Sequence, residues 1–149
     1  MLHVILAIAA MFIVAGAALF SIDVQSIAGA IALVTTTETL VGIGRALSLP
    51  SQSGKAVIYC FASVTAGTST TSLTINVYRG SVISGSAVFS SVRTIPAAAG
   101  GPQYDLNCCF TDVLSMATQA QYCFSVTQTA ATANGSVTSA AIETELLSG

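Results

Sequence analysis

The sequence predicts a mainly β protein in which a hydrophobic N-terminal α-helix precedes an antiparallel β-sandwich or barrel. Residues 1–22 carry no charged side chain apart from His3, and a helix needs about 20 apolar residues to cross a bilayer. From Thr35 onward the chain is rich in Ser, Thr, Gly, Val and Ala, and turn residues cut it into short alternating runs. We therefore divide the chain into a helix at residues 1–33 and a β domain at residues 34–149.

The apolar N-terminal segment has two main interpretations, a membrane-spanning helix and a helix packed inside a protein assembly. A cleaved secretory signal is disfavoured because no Lys or Arg precedes the apolar core, and the first basic residue is Arg45. Residues 27–34 are a second apolar run, which either extends the helix past Asp23 or begins the sheet. The large side chains expected to contact lipid or protein are Leu6, Phe12, Ile13, Leu19 and Phe20.

Two segments give the clearest strand signals. Leu73, Ile75 and Val77 alternate with polar or aromatic residues, which predicts a strand with one buried face. Residues 56–64 are apolar on both faces, which predicts a central strand.

The remaining strands are predicted from alternation and from the turns between them. Tyr122, Phe124 and Val126 are expected to point inward. The connections are too short for crossover helices, so the sheet is expected to be antiparallel. The further strands are predicted at 41–49, 87–95, 104–110, 121–128 and 137–147.

The charge content limits the classes of function. Only 7% of the residues are charged, against ~25% in ordinary soluble domains, and a surface so short of charge associates readily. We therefore expect much of this surface to pack against copies of the same chain. The four basic residues are scattered, which argues against direct nucleic-acid binding.

No residue pattern predicts catalysis. A nucleophile paired with histidine would need His3, which lies in the apolar N-terminal segment. Glu143 and Glu145 share one face of a predicted strand, where a solvated strand end explains them better than acid–base chemistry. We expect no enzyme activity, no cofactor and no bound metal.

Four cysteines permit two disulfides, but the sequence does not give their connectivity. The cysteines are Cys60, Cys108, Cys109 and Cys123. Cys60 and Cys123 are candidates to bridge the two sheets, and the alternative is that all four are buried, reduced thiols. Their spacing fits no zinc motif. Asn134 begins an Asn-Gly-Ser glycosylation sequon, although Asn-Gly is also a favoured tight turn.

From about Leu40 to Leu147 the chain resembles the single jelly-roll β-sandwiches of virions and phage accessory proteins. This resemblance implies a jelly-roll-like sandwich and a structural virion protein assembled in many copies. The implied partners are the chain itself, other structural proteins and membrane lipid around the helix. The segments that carry the resemblance are Ala46–Pro50, Gly54–Ile58, Leu73–Gly80, Tyr122–Val126 and Ser139–Glu143.

The two-part layout also resembles archaeal type IV pilin-like filament proteins, which join a long hydrophobic N-terminal helix to a Ser/Thr/Gly-rich β-sandwich. That resemblance implies a subunit of an extracellular filament, with the helix in the filament core. The basic leader typical of such proteins is not visible before the apolar segment. A membrane-anchored binding module is a third interpretation of the same layout.

Overall fold

The computed structural model describes residues 19–27, 29–49, 53–96, 103–115 and 119–148. These residues form eleven β-strands, and every strand pair is antiparallel. The strands are β1 (Leu19–Ile27), β2 (Ile31–Leu33), β3 (Thr39–Ile43), β4 (Leu47–Ser48), β5 (Ser53–Thr65), β6 (Ser72–Arg79), β7 (Phe89–Thr94), β8 (Gln103–Ser115), β9 (Gln119–Ala120), β10 (Tyr122–Thr129) and β11 (Gly135–Ser148).

The strands form two main sheets. The first sheet has the order β1-β11-β5-β8, and the short β2 also pairs with β11. The second sheet has the order β3-β10-β6-β7, and β4 and β9 form a separate two-stranded ribbon. The chain passes from β2 to β3, from β5 to β6, from β7 to β8 and from β10 to β11, and each of these steps changes sheet. The mainly β, antiparallel sandwich predicted from the sequence is therefore confirmed.

The core lies between the two sheets and follows the two-residue period of the strands. Leu73, Ile75 and Val77 of β6 are all buried, and so are the predicted inward residues of β10. β5 pairs with β11 on one side and with β8 on the other, which confirms the central strand predicted from residues 56–64. The residues of β10 concerned are Tyr122, Phe124 and Val126.

The predicted helix at residues 1–33 is wrong for the part of that range that the structure describes. Residues 19–27 and 31–33 are strands that pair with β11, and these strands include Leu19 and Phe20. In residues 19–27, Phe20, Ile22 and Val24 alternate with polar residues, which is a strand pattern. The apolar run at residues 31–33 satisfies either element, and pairing with β11 decides for the strand. Strands of the sandwich therefore begin before the boundary predicted at residues 33 and 34.

The part of the chain that the structure describes contains no helix with the length and hydropathy needed to cross a membrane. The predicted contact residues Leu6, Phe12 and Ile13 lie outside the described residues, as does His3. The helical role of Leu6, Phe12 and Ile13 stays a prediction.

A buried glutamine joins three parts of the chain at one end of the sandwich. The Gln128 side chain accepts hydrogen bonds from Gly67 N (3.0 Å) and Thr70 Oγ1 (3.3 Å), and it donates to Leu33 O (3.1 Å). Burying an amide is costly unless it is hydrogen-bonded, so these contacts fix the three segments together. Gly67 has no room for a side chain, because a Cβ there would lie 1.7 Å from Ala133 O.

The edge strands β7 and β8 hold the two sheets together along one side. Phe89 and Phe110 stack with ring centroids 4.8 Å apart. Arg93 lies over the Tyr104 ring at 5.0 Å and donates to Asp105 O at 3.0 Å. Both contacts cross from the second sheet to the first.

We expect Ile75→Asp to unfold the domain, because it buries an unpaired charge between the sheets. Thr74→Asp, one residue away on the outer side of β6, should cost much less. Thermal unfolding followed by circular dichroism measures both. Equal tolerance at the two positions would contradict the register of β6.

Candidate assembly surface

The outer face of the first sheet carries an exposed apolar patch. Alternation along β5 turns Ile58 and Cys60 into the core and turns Tyr59 and Phe61 outward. Tyr59 is 41% exposed and Phe61 is 39% exposed. On the neighbouring β8, Val113 is 64% exposed. Val113 lies opposite Lys55, four residues along β8 from Cys109, so the patch is centred on Tyr59 and Phe61. Exposed apolar patches mark interaction surfaces.

An open groove of about 480 Å³ lies on this face, with β5 along its centre. The strand register places Tyr59 between Cys109 of β8 and Glu143 of β11. It places Phe61 between Asn107 and Ala141 in the same way. These residues line the groove, together with Cys60 and Cys108. The groove thus has an aromatic floor with a carboxylate on one side.

The ionisable groups beside the groove affect one another. Burial, the nearby charge of Glu145 and a hydrogen bond with Cys109 all raise the pKa of Tyr59, so its phenol stays protonated. Burial and the adjacent Glu143 raise the pKa of Glu145. The two glutamates do share one strand face, as the sequence indicated.

The outer side of the second sheet carries a polar cluster centred on Glu38. Its Oε1 atom accepts hydrogen bonds from Asn76 Nδ2 (2.8 Å), Tyr78 OH (2.6 Å) and Ser125 Oγ (2.5 Å). Burial alone would raise the pKa of Glu38, but the three hydrogen bonds outweigh it and lower that pKa. Burial and the same carboxylate raise the pKa of Tyr78 to about 12. The cluster joins the segment before β3 to β6 and β10, which is a structural role.

The Asp112 carboxylate connects the first sheet to the second. Asp112 of β8 accepts from Arg79 Nε at 2.7 Å, from Arg79 Nη2 at 2.6 Å and from Tyr122 OH at 2.8 Å. Burial acts to raise the pKa of Asp112, but the hydrogen bonds from Arg79 and Tyr122 lower it. Burial and Asp112 raise the pKa of Tyr122. A bidentate pair of this kind fixes both distance and orientation.

The structure brings together two of the four cysteines. Cys60 of β5 lies directly opposite Cys108 of β8, and both pack with the core. Cys109 points outward into the groove and is exposed. Cys123 is buried beside Tyr78 on the outer side of the second sheet, since it alternates with core residues of β10. The fold therefore does not bring Cys60 and Cys123 together as the predicted bridge requires, because the second sheet lies between the two side chains.

The remaining predicted site residue is Asn134. It is exposed in the loop between β10 and β11, and its glycosylation stays a prediction. Within the described residues, no three His, Cys, Asp or Glu side chains are grouped so that they could hold a metal ion.

Sequence reasoning missed Tyr59 and Phe61 as surface residues and missed Glu38 altogether. The signal for the aromatic pair was present, because residues 56–64 are apolar on both faces. It predicts a central strand but not which face is covered, and the described chain covers only one of them. Glu38 gave no signal, since its partners lie 38, 40 and 87 residues away along the chain.

No protein-family model matches the chain. No curated protein matches it in sequence either.

Several solved structures are similar to the chain. The structure of Eiger TNF from S. frugiperda is similar with a TM-score of 0.54 and 11% identity, over 85% of this chain and 93% of that chain. Two weaker similarities have TM-scores below 0.5. PRD1 vertex protein P5 has a TM-score of 0.46 and 13% identity, over 88% of this chain and 99% of that chain. Disulfide-linked pili that form Bacillus endospore appendages have a TM-score of 0.40 and 17% identity, over 87% and 90%.

At these identities the likeness concerns the fold alone. The Eiger TNF similarity extends over most of both chains and agrees with the antiparallel arrangement described above. The resemblance predicted from the sequence is therefore supported at the level of an all-β sandwich.

We expect Asp112→Asn to lower the free energy of unfolding by about 1–2 kcal/mol at neutral pH. The lower part of the range for charged hydrogen bonds applies because Arg79 is 57% exposed and its charge is screened. Since the pKa of Asp112 is lowered in the folded state, its contribution is present at neutral pH and is lost as the pH falls below about 4. The difference between wild type and variant should therefore shrink in acid.

Denaturant titration at pH 7 and at pH 3 measures this difference. Asp105→Asn, an exposed position on the same strand, is the matched control and should be nearly neutral. A loss that is equal at both pH values would contradict the role given to the Asp112 carboxylate.

Proposed function

We propose that this chain is a structural virion protein, a single jelly-roll subunit that assembles in many copies. The observation that carries the proposal is the uncovered apolar face around Tyr59 and Phe61 on a chain that is only 7% charged. An aromatic strip with so little charge is suited to a dry contact with another subunit.

The strand order supports the jelly-roll assignment. A jelly roll is a two-sheet sandwich built from two Greek keys. The orders β1-β11-β5-β8 and β3-β10-β6-β7, with repeated passages between the sheets, fit that architecture. A fold of this type is used by many proteins with different functions, so the proposal depends on the surface and not on the fold.

The N-terminal segment gives the proposed subunit a second attachment. Its apolar residues 1–18 lead directly into β1, which is at the edge of the first sheet among the described strands. In the proposal this segment anchors the subunit to an internal membrane or packs against other structural proteins. The subunit makes no direct contact with nucleic acid and performs no catalysis, because the chain has a single histidine and only four scattered basic residues.

We expect Phe61→Asp to prevent assembly while leaving the domain folded. The substitution places a charge at the centre of the proposed contact, and Phe61 is not part of the core between the sheets. Val92→Asp is the matched control, because Val92 is 62% exposed on the second sheet. Sedimentation velocity measures assembly of the full chain, and circular dichroism reports whether each variant is folded. Loss of assembly in both variants, or in neither, would contradict the proposed surface.

Electron microscopy of the native assembly tests the class of particle. A closed shell in which the first sheet faces a neighbouring subunit supports the proposal. A rod-like filament with the N-terminal segments along its axis would overturn it in favour of an extracellular filament subunit. A monomer with an open groove would overturn it in favour of a binding module.

A further inference from the structure

We propose that Cys60 and Cys108 form a disulfide that joins β5 to β8. The two residues are direct partners in the antiparallel register, and the same alternation turns both side chains toward the core. Directly opposed residues on antiparallel strands have Cα atoms about 4.5 or 5.5 Å apart. Both values fall in the range of about 4.4–6.8 Å that a disulfide needs.

The two thiols are close enough to affect each other's ionisation. Interaction with Cys108 and burial raise the pKa of Cys60, and interaction with Cys60 lowers the pKa of Cys108. Because the thiolate is the reactive form, Cys108 is the thiol that reacts first. Cys108 is also the more accessible of the two, since Cys60 is buried.

The other pairings are opposed by side-chain direction. Cys109 follows Cys108 directly and points to the opposite face, away from Cys60. Cys123 lies on the far side of the second sheet, beside Tyr78 and Glu38. Either alternative would require a strand to turn over.

The oxidant is a small-molecule disulfide such as oxidised glutathione. The Cys108 thiolate attacks one sulfur of the oxidant, forming a mixed disulfide and releasing the first small thiol. Cys60 then attacks the Cys108 sulfur and transfers its proton to the departing second thiol. Two protein thiols are oxidised, one external disulfide is reduced to two thiols, and no other reactant is needed.

The bond would fix an edge of the sandwich. Among the described strands, β8 is the outermost of the first sheet and pairs with β5 alone. A covalent link near the middle of that pairing keeps β8 in register after the subunit has left a reducing compartment. It would also hold Cys109 and Asn107 in position beside the groove.

The full chain, in mild detergent, is incubated with oxidised glutathione, blocked with a maleimide and digested without reduction. Trypsin leaves Cys60 alone in peptide 56–79 and the other three cysteines in peptide 94–149. Chymotrypsin then separates Cys108 and Cys109 from Cys123 by cleavage after Phe110. We expect a peptide containing Cys60 joined to one ending at Phe110, and an unfolding temperature that falls by at least about 5 °C on reduction.

Two variants distinguish the neighbouring cysteines. Cys109→Ser should keep the link, because Cys109 points away from Cys60, and Cys108→Ser should lose it. The mapping of the unmodified chain does not depend on whether Cys108→Ser folds. Four blocked thiols after incubation, a link to Cys123, or a link lost in Cys109→Ser would each overturn the proposal.

Discussion

The two-sheet fold depends on the position of β5 inside the first sheet. The middle of β5, residues 56–62, is apolar on both faces. β5 pairs along its length with β8 and β11, so it lies inside the first sheet. The second sheet covers one of its faces and buries Ile58 and Cys60, but nothing in the described chain covers Tyr59 and Phe61. A segment that is apolar on both faces is typical of a strand that is covered on both sides. We assign the second cover to another subunit, which links the central element of the fold to assembly.

Asp112, Arg79 and Glu38 serve the fold. Other charged residues, Lys55, Asp105, Glu143 and Glu145, lie on the outer face of the first sheet around Tyr59 and Phe61. Asp112 and Arg79 connect the two sheets, and Glu38 joins β6, β10 and the segment before β3. The uncharged Gln128 side chain, near the C-terminal end of β10, joins this strand to Gly67 and Leu33. The three charged groups bonded within the fold are not free to repel a neighbouring subunit, which is consistent with a low-charge surface that associates.

The strand pattern could be predicted where one face is buried and the other is polar. Leu73, Ile75 and Val77 follow this rule, and local alternation was enough to orient them. It failed for Leu19–Ile27, because the alternation of Phe20, Ile22 and Val24 with polar residues directly follows the apolar residues 1–18 and falls within the predicted helix. The apolar face of β5 was visible in the sequence, but which of its sides stays uncovered depends on the position of the second sheet. The opposition of Cys60 and Cys108 depends on a register between residues 48 positions apart, which no local pattern contains.

Accessibility of the Cys109 thiol in the native assembly tests most directly whether another subunit covers β5. Cys109 is exposed in the single chain and lies in the groove beside Tyr59, whereas Cys60 and Cys123 are buried. The measurement is the rate of maleimide labelling at Cys109, located by peptide mass spectrometry, in intact assemblies and in dissociated subunits that remain folded. If neighbouring subunits cover the outer face of the first sheet, Cys109 is protected in the assembly and labelled rapidly after dissociation. Equal labelling rates in the two states would contradict a subunit contact on this face.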